Sequence, residues 1–199
     1  SEQAMAAHSI PVLFPSSVQE FIEFGLKGWA LSRYSGCWVG FKVVNETIEQ
    51  TATVDISLDK IRIERPDTGP LPPEGIHYKG VYNPQNDEVI LKRYKLPLVH
   101  KFVRANGFDK VVLAAPKKRL GIVTAGKGYQ DVMQALAHLG ISEKRAAELG
   151  ISVYKVGCIW PLEPEGLKAF ADGHEELFFI EEKAGFLEHQ AMAILFNLP

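Results

Sequence analysis

A glycine, four spacers and a Gly-Lys pair are the parts from which proteins build phosphate cradles, and residues 121–127, Gly-Ile-Val-Thr-Ala-Gly-Lys, supply them. In a working cradle the loop's N–H groups hold phosphate oxygens, and a following Ser or Thr binds magnesium. Here that position is Gly128, and Ile122 and Val123 read as strand, which leaves little loop. Gly126-Lys127-Gly128 could also open a dinucleotide fingerprint, but its third glycine position is Asp131. An acid in the first helical turn repels phosphate. The expectation is a tight strand-to-helix turn rather than a nucleotide site.

Glu181-Glu182-Lys183 stands at the carboxyl end of an apolar run. Adjacent acids on extended chain point to opposite sides. One is expected to cap the next helix or its dipole, the other to pair with Lys183 or a neighbouring domain. Asp172-Gly173, with Asn197 further on, has parts of a metal–diphosphate motif, yet residue 171 is Ala and the pair precedes a strand instead of following one. It reads as a helix-ending turn. The six histidines are scattered and suggest no helical metal site. Two distant cysteines, Cys37 and Cys158, suggest neither a disulfide framework nor a metal cluster.

The elements that must position these residues follow from periodicity. Residues 10–14 read as a short buried strand closed by Pro15. Ser16 and Ser17, with Gln19 and Glu20 three places on from each, offer two capping boxes for a helix. Val18, Phe21, Ile22, Gly25, Leu26 and Trp29 share one face of that helix, Gly36 ends it, and 37–44 reads as the next strand. Residues 46–65 are β-rich, notably 51–56, and 66–75 is a loop with four prolines and two glycines. Residues 87–106 suit helix broken near Pro97, giving two packing helices. From 119 the alternation is regular: strand 120–124, helix 128–139, helix 142–149 ending at Gly150, strand 151–156, helix 164–172, strand 176–181 and helix 185–196. Strands alternating with helices imply right-handed crossovers and a parallel, doubly wound α/β sheet, preceded here by a partial β-α-β segment.

Composition narrows the classes. The 199 residues are 46% hydrophobic with a net charge of −2, which suits one large or two small soluble domains. Dispersed Lys and Arg leave no footprint for nucleic acid. No run approaches the roughly 18 apolar residues needed to span a bilayer. The N-terminus lacks the regions of a signal peptide, so a cytoplasmic, reduced protein is the default expectation. With no initiating Met, and an end straight after a helix pattern, an excised fragment is expected.

Three motifs, 121–131, Trp160-Pro-Leu-Glu-Pro164 and Glu181-Glu-Lys183 with Glu188-His-Gln190, together with 10–20 and 28–42, resemble the 2-oxoacid:ferredoxin oxidoreductases. The resemblance is to the indolepyruvate ferredoxin oxidoreductase branch in particular. It implies that 1–56 is the end of a thiamine pyrimidine-binding domain, 57–117 linker and packing helices, and 118–199 a truncated domain similar to the transketolase C-terminal domain. Ala184 stands where the family pattern leads one to expect Arg.

The family's activity is oxidative decarboxylation of arylpyruvates to acyl-CoA, with electrons passed to ferredoxin. It implies thiamine diphosphate, magnesium and iron-sulfur clusters in the full enzyme, and CoA as a partner. In this chain no catalytic, cofactor-binding or metal residue is expected. Thr124, Gly126, Lys127, Tyr129, Trp160, Glu181, Glu182 and Lys183 are expected at a domain edge or interface, with Trp29, Tyr34 and Trp38 among the aromatic contacts to the enzyme's other domains or subunits. The alternative is an independent module binding a small anion or nucleotide at 124–129 and 181–183. A third reading is a regulatory or assembly domain without ligand.

Overall fold

The computed structural model describes residues 2–80 and 83–196. Asn197 lies outside them.

Two sheets share the chain unequally. The first has three short strands, β1 (Val12–Leu13), β2 (Gly40–Phe41) and β6 (Cys158–Trp160), in the order β2-β1-β6. β2 runs parallel to β1, and β6 antiparallel. The second is ordered β3-β5-β4-β7, from β3 (Lys110–Leu113), β4 (Leu120–Ala125), β5 (Ile151–Val156) and β7 (Glu176–Ile180). β4 is parallel to both β5 and β7, while β3 closes one edge antiparallel to β5.

Helices cover the second sheet on both faces. Ile122 and Val153 pack with Val132, Leu136 and Ala146, from α6 (Gly126–His138) and α7 (Glu143–Leu149). Val123, Tyr154 and Val156 point the other way, toward Leu167, Phe170, Leu187 and Ala191 of α8 (Pro164–Ala171) and α9 (Leu187–Leu195). Successive strand residues must face opposite sides, so strands buried on both faces have nearly unbroken apolar sequence. The α/β class and the doubly wound arrangement are borne out, with an antiparallel strand added at the edge.

The first sheet carries α2 (Val18–Ser35). Of the two capping boxes, Ser17 is the cap: its Oγ accepts the Glu20 N–H at 3.3 Å. Gly36, at φ 70°, ends the helix in the left-handed conformation, where a Cβ is unfavourable. The buried side of α2 meets α5 (Leu96–Ala105) in a core of Leu13, Phe24, Leu31, Val99, Phe102 and Phe108.

Three expectations are corrected. Residues 46–65 contain no strand: Asn45–Ile48 form a short helix and Leu58–Lys60 a single tight turn. The alternation at 51–56 finds no neighbouring strand. Instead the Gln19 side chain bonds both the N–H and the C=O of Asp55. Of the strand expected at 37–44, only Gly40–Phe41 pairs. Finally, Pro97 does not break the helix. Pro84–Ile90, Leu91–Lys95 and α5 run on continuously, and the middle turn is widened so that the Leu96 N–H bonds Leu91 O, five residues back. Such a turn accommodates a proline that lacks an N–H and crowds the carbonyl four residues earlier.

Candidate functional site

The carboxyl ends of β4 and β5 face the first sheet, and the motif residues gather there. The turn after β4 is closed by Phe14. Gly126 has φ 52°, and a Cβ on it would lie 2.2 Å from Phe14 ring atoms. Glycine is therefore required twice, for the backbone conformation and for the ring's approach. The aromatic ring occupies the space above the turn that a phosphate would need.

The lysine of that turn is engaged as well. Lys127 Nζ lies 2.6 Å from Asp131 Oδ2, and this hydrogen bond raises the ammonium's pKa. Thr124 Oγ1 donates to Ile180 O at 3.0 Å, tying β4 to the end of β7. A Cβ on Gly128 would meet that same Oγ1 at 3.0 Å.

Beside the turn lies a buried ion pair across the two sheets. Lys155, from β5, donates to Glu20 of α2, and both residues are less than a tenth exposed. The Tyr129 ring stands 4.7 Å from Lys155 Nζ. Ser16 donates to Glu20 Oε2 from its N–H and its hydroxyl, each at 2.9 Å, and Gln130 of α6 donates to Ser16 O. Burial alone would raise the Glu20 carboxyl, but Lys155 and the Ser16 donors outweigh it and hold it below the usual range. Burial lowers Lys155, with Glu20 opposing.

The second and third motifs join the same junction. Trp160 belongs to β6, paired with Val12. Gln190 of α9 brackets this segment: its Nε2 donates to Ile159 O at 2.9 Å and its Oε1 accepts from Leu162 N at 3.0 Å. Glu163 caps α8, accepting from Glu165 N and Gly166 N, and also receives Arg104 Nη2 at 2.6 Å. Glu181 accepts the N–H groups of Phe186, Leu187 and Glu188, which makes it the capping acid of the pair at 181–182. Glu182 and Lys183 are exposed and line a small cavity with Phe14, Lys42 and Phe186. Lys42 is held at 2.5 Å by Glu2, with its ammonium 4.2 Å from the Phe14 ring centroid.

That cavity measures about 40 Å³, room for only a few waters at roughly 10–15 Å³ each on this measure. Thiamine diphosphate does not fit it. Both cysteines are buried, and among the described residues no group of three or more His, Cys, Asp or Glu is placed to hold a metal ion. Among them, too, no helix is long and apolar enough to cross a membrane. The lining of this cavity thus does not fit thiamine diphosphate.

All eight expected edge residues lie at or beside the junction. Residues that motif reading missed complete it: Phe14, Ser16, Glu20, Arg104 and Asp109. Ser16 and Glu20 carried a signal, as capping-box residues. Of the aromatics, Trp29 (68% exposed) and Trp38 (82%) flank an apolar groove with Phe21 and Phe41 on the far side of α2.

Comparison with known proteins agrees with the motifs. Residues 110–199 match the family described as Indolepyruvate oxidoreductase domain. A 2-oxoglutarate:ferredoxin oxidoreductase from Magnetococcus marinus, solved with 2-oxoglutarate, coenzyme A and succinyl-CoA bound, shares the fold at a TM-score of 0.54 and 16% identity. That likeness covers 92% of this chain and 37% of the other. No curated protein sequence matches. The resemblance read from the motifs is borne out.

Proposed function

We propose that this chain, whose residues 110–199 match the Indolepyruvate oxidoreductase domain family, is a non-catalytic part of a thiamine-dependent 2-oxoacid:ferredoxin oxidoreductase. The enzyme would oxidatively decarboxylate 2-oxoacids of the arylpyruvate (indolepyruvate) type to acyl-CoA in the cytoplasm. Thiamine diphosphate, magnesium, iron-sulfur clusters, CoA and ferredoxin would be engaged by other parts of it. The division is then 1–56 as the end of the pyrimidine-binding domain, 57–117 as connection, and 118–199 as the transketolase C-terminal-like domain. The work of this chain is assembly: it locks two α/β units together and offers surface to further domains or subunits, with Trp29 and Trp38 as contacts.

The observation that supports this reading is the plugged turn at 124–129. Phe14 fills the place of a ligand above Gly126, and Asp131 occupies Lys127. A ligand-binding α/β domain keeps the crevice at its strands' carboxyl ends open. Calorimetric titration of the purified chain with magnesium–thiamine diphosphate, CoA and ATP tests it. No heat of binding is expected at millimolar ligand; micromolar affinity for any of the three overturns the assembly role and favours a small-ligand module.

A further inference from the structure

Asp109 opens the segment that leads into β3, and its carboxyl reaches the point where the chain crosses from one sheet to the other. Oδ1 accepts the N–H of Gly157 at 2.8 Å and of Cys158 at 3.1 Å. Those residues join β5 to β6. The crossover is tight: a Cβ on Gly157 would lie 2.3 Å from Phe108 O, and Phe14 N donates to Gly157 O at 2.8 Å. Oδ2 is walled off, with no hydrogen-bond partner among the described residues.

The groups that face this carboxyl offer it no cation. They are the Glu163 carboxylate, the Tyr154 phenol and the Cys158 thiol. Arg104, from α5, is taken by Glu163 through two N–H groups. His100, one turn earlier on α5, has a buried Nε2 without a partner among the described residues, and burial lowers its pKa. Lys27, from α2, donates to Asn106 O, and Lys155, from β5, to Glu20. Lys110 is exposed. Ionising Asp109 would therefore enclose a second negative charge beside Glu163. An ionised Oδ2 without a donor of its own is relieved by admitting solvent or by taking up a proton.

We propose that Asp109 is a proton-operated latch on the crossover between the two sheets. As a neutral acid it keeps Gly157 and Cys158 closed against β3; on giving its proton to solvent it opens the crossover to water. Burial first, and Glu163 as well, push its pKa up to about 7, against the opposing pull of the two N–H donors. The closed form therefore holds the proton more tightly than the open form, in which the carboxyl is solvated. Its stability falls as pH rises from the ordinary carboxylate range to about 7, and levels off above.

The test is amide hydrogen exchange by NMR at Gly157 and Cys158, corrected for the intrinsic pH dependence of exchange, in the wild type and in Asp109→Asn. The asparagine keeps an acceptor for both N–H groups and cannot ionise. Wild-type protection is expected to fall at least about tenfold between roughly pH 5 and 7, one pKa unit in free energy, while the variant stays flat. Equal pH dependence in the two overturns the latch. Should the variant not fold, infrared titration of the wild type decides. A protonated-carboxyl band at about pH 6, lost on titration through neutrality, supports the proposal; its absence overturns it.

Discussion

At the residue scale, the Glu20–Lys155 pair is the contact whose energetics are best defined by its surroundings. Both charges are nearly fully buried, and each is the other's counter-ion. Removing one leaves the other uncompensated, which typically costs about 3–5 kcal/mol. Glu20→Gln and Lys155→Met are each expected to destabilise by that order in urea unfolding, and the double variant to recover most of the loss, because desolvation of both charges disappears with them. Independent, additive losses would contradict this. The pH sign follows from Glu20, whose carboxyl lies lower in the folded chain. Its contribution is complete above the unfolded carboxylate range, near about pH 4.3, and is lost as acid protonates it below. Little of this pair was legible in the sequence. Lys155 sits mid-pattern in a strand and Glu20 in a helical turn, and nothing local says that residues this far apart meet.

Elements were legible where periodicity and caps agreed. Helix 18–35 follows from its Ser17 cap and Gly36, although the face it buries is that of Phe24, Gly28 and Leu31 and not the Phe21–Gly25–Trp29 stripe, and strand 151–156 follows from an apolar run after Gly150. The strand misreadings have one physical source: strand propensity needs a partner. The β-branched stretch at 51–56 has none, whereas Lys110–Leu113, hidden in a segment expected to be connection and helices, finds β5. Glu181 shows a charged motif acting at the same scale. It satisfies three N–H groups at the start of α9 that no cap residue of that helix serves. Glu181→Ala is expected to cost about 1–2 kcal/mol, the usual value of a helix cap, and to speed exchange of the Phe186 and Leu187 amides without affecting α6. Uniform loss of protection across both helices would assign Glu181 a wider role than capping.

At the scale of the whole molecule, the two sheets are fastened by Phe14 on Gly126, Glu20 on Lys155 and Asp109 on the crossover. Unfolding is therefore expected to be a single transition, with tryptophan fluorescence and far-ultraviolet dichroism coinciding in urea. Separated midpoints would mean that the fastenings yield before the sheets do. The motifs name the residues of the turn but not what they face, since nothing local to the turn points to Phe14. Strand β6 carries a consequence for how the chain can be divided. It lies inside the family-matched stretch, yet its partner β1 lies near the other end of the chain. A chain cut anywhere between β2 and β6 leaves each piece an incomplete sheet, so a fragment of residues 110–199 alone would lack the pairing that Val12–Leu13 give β6.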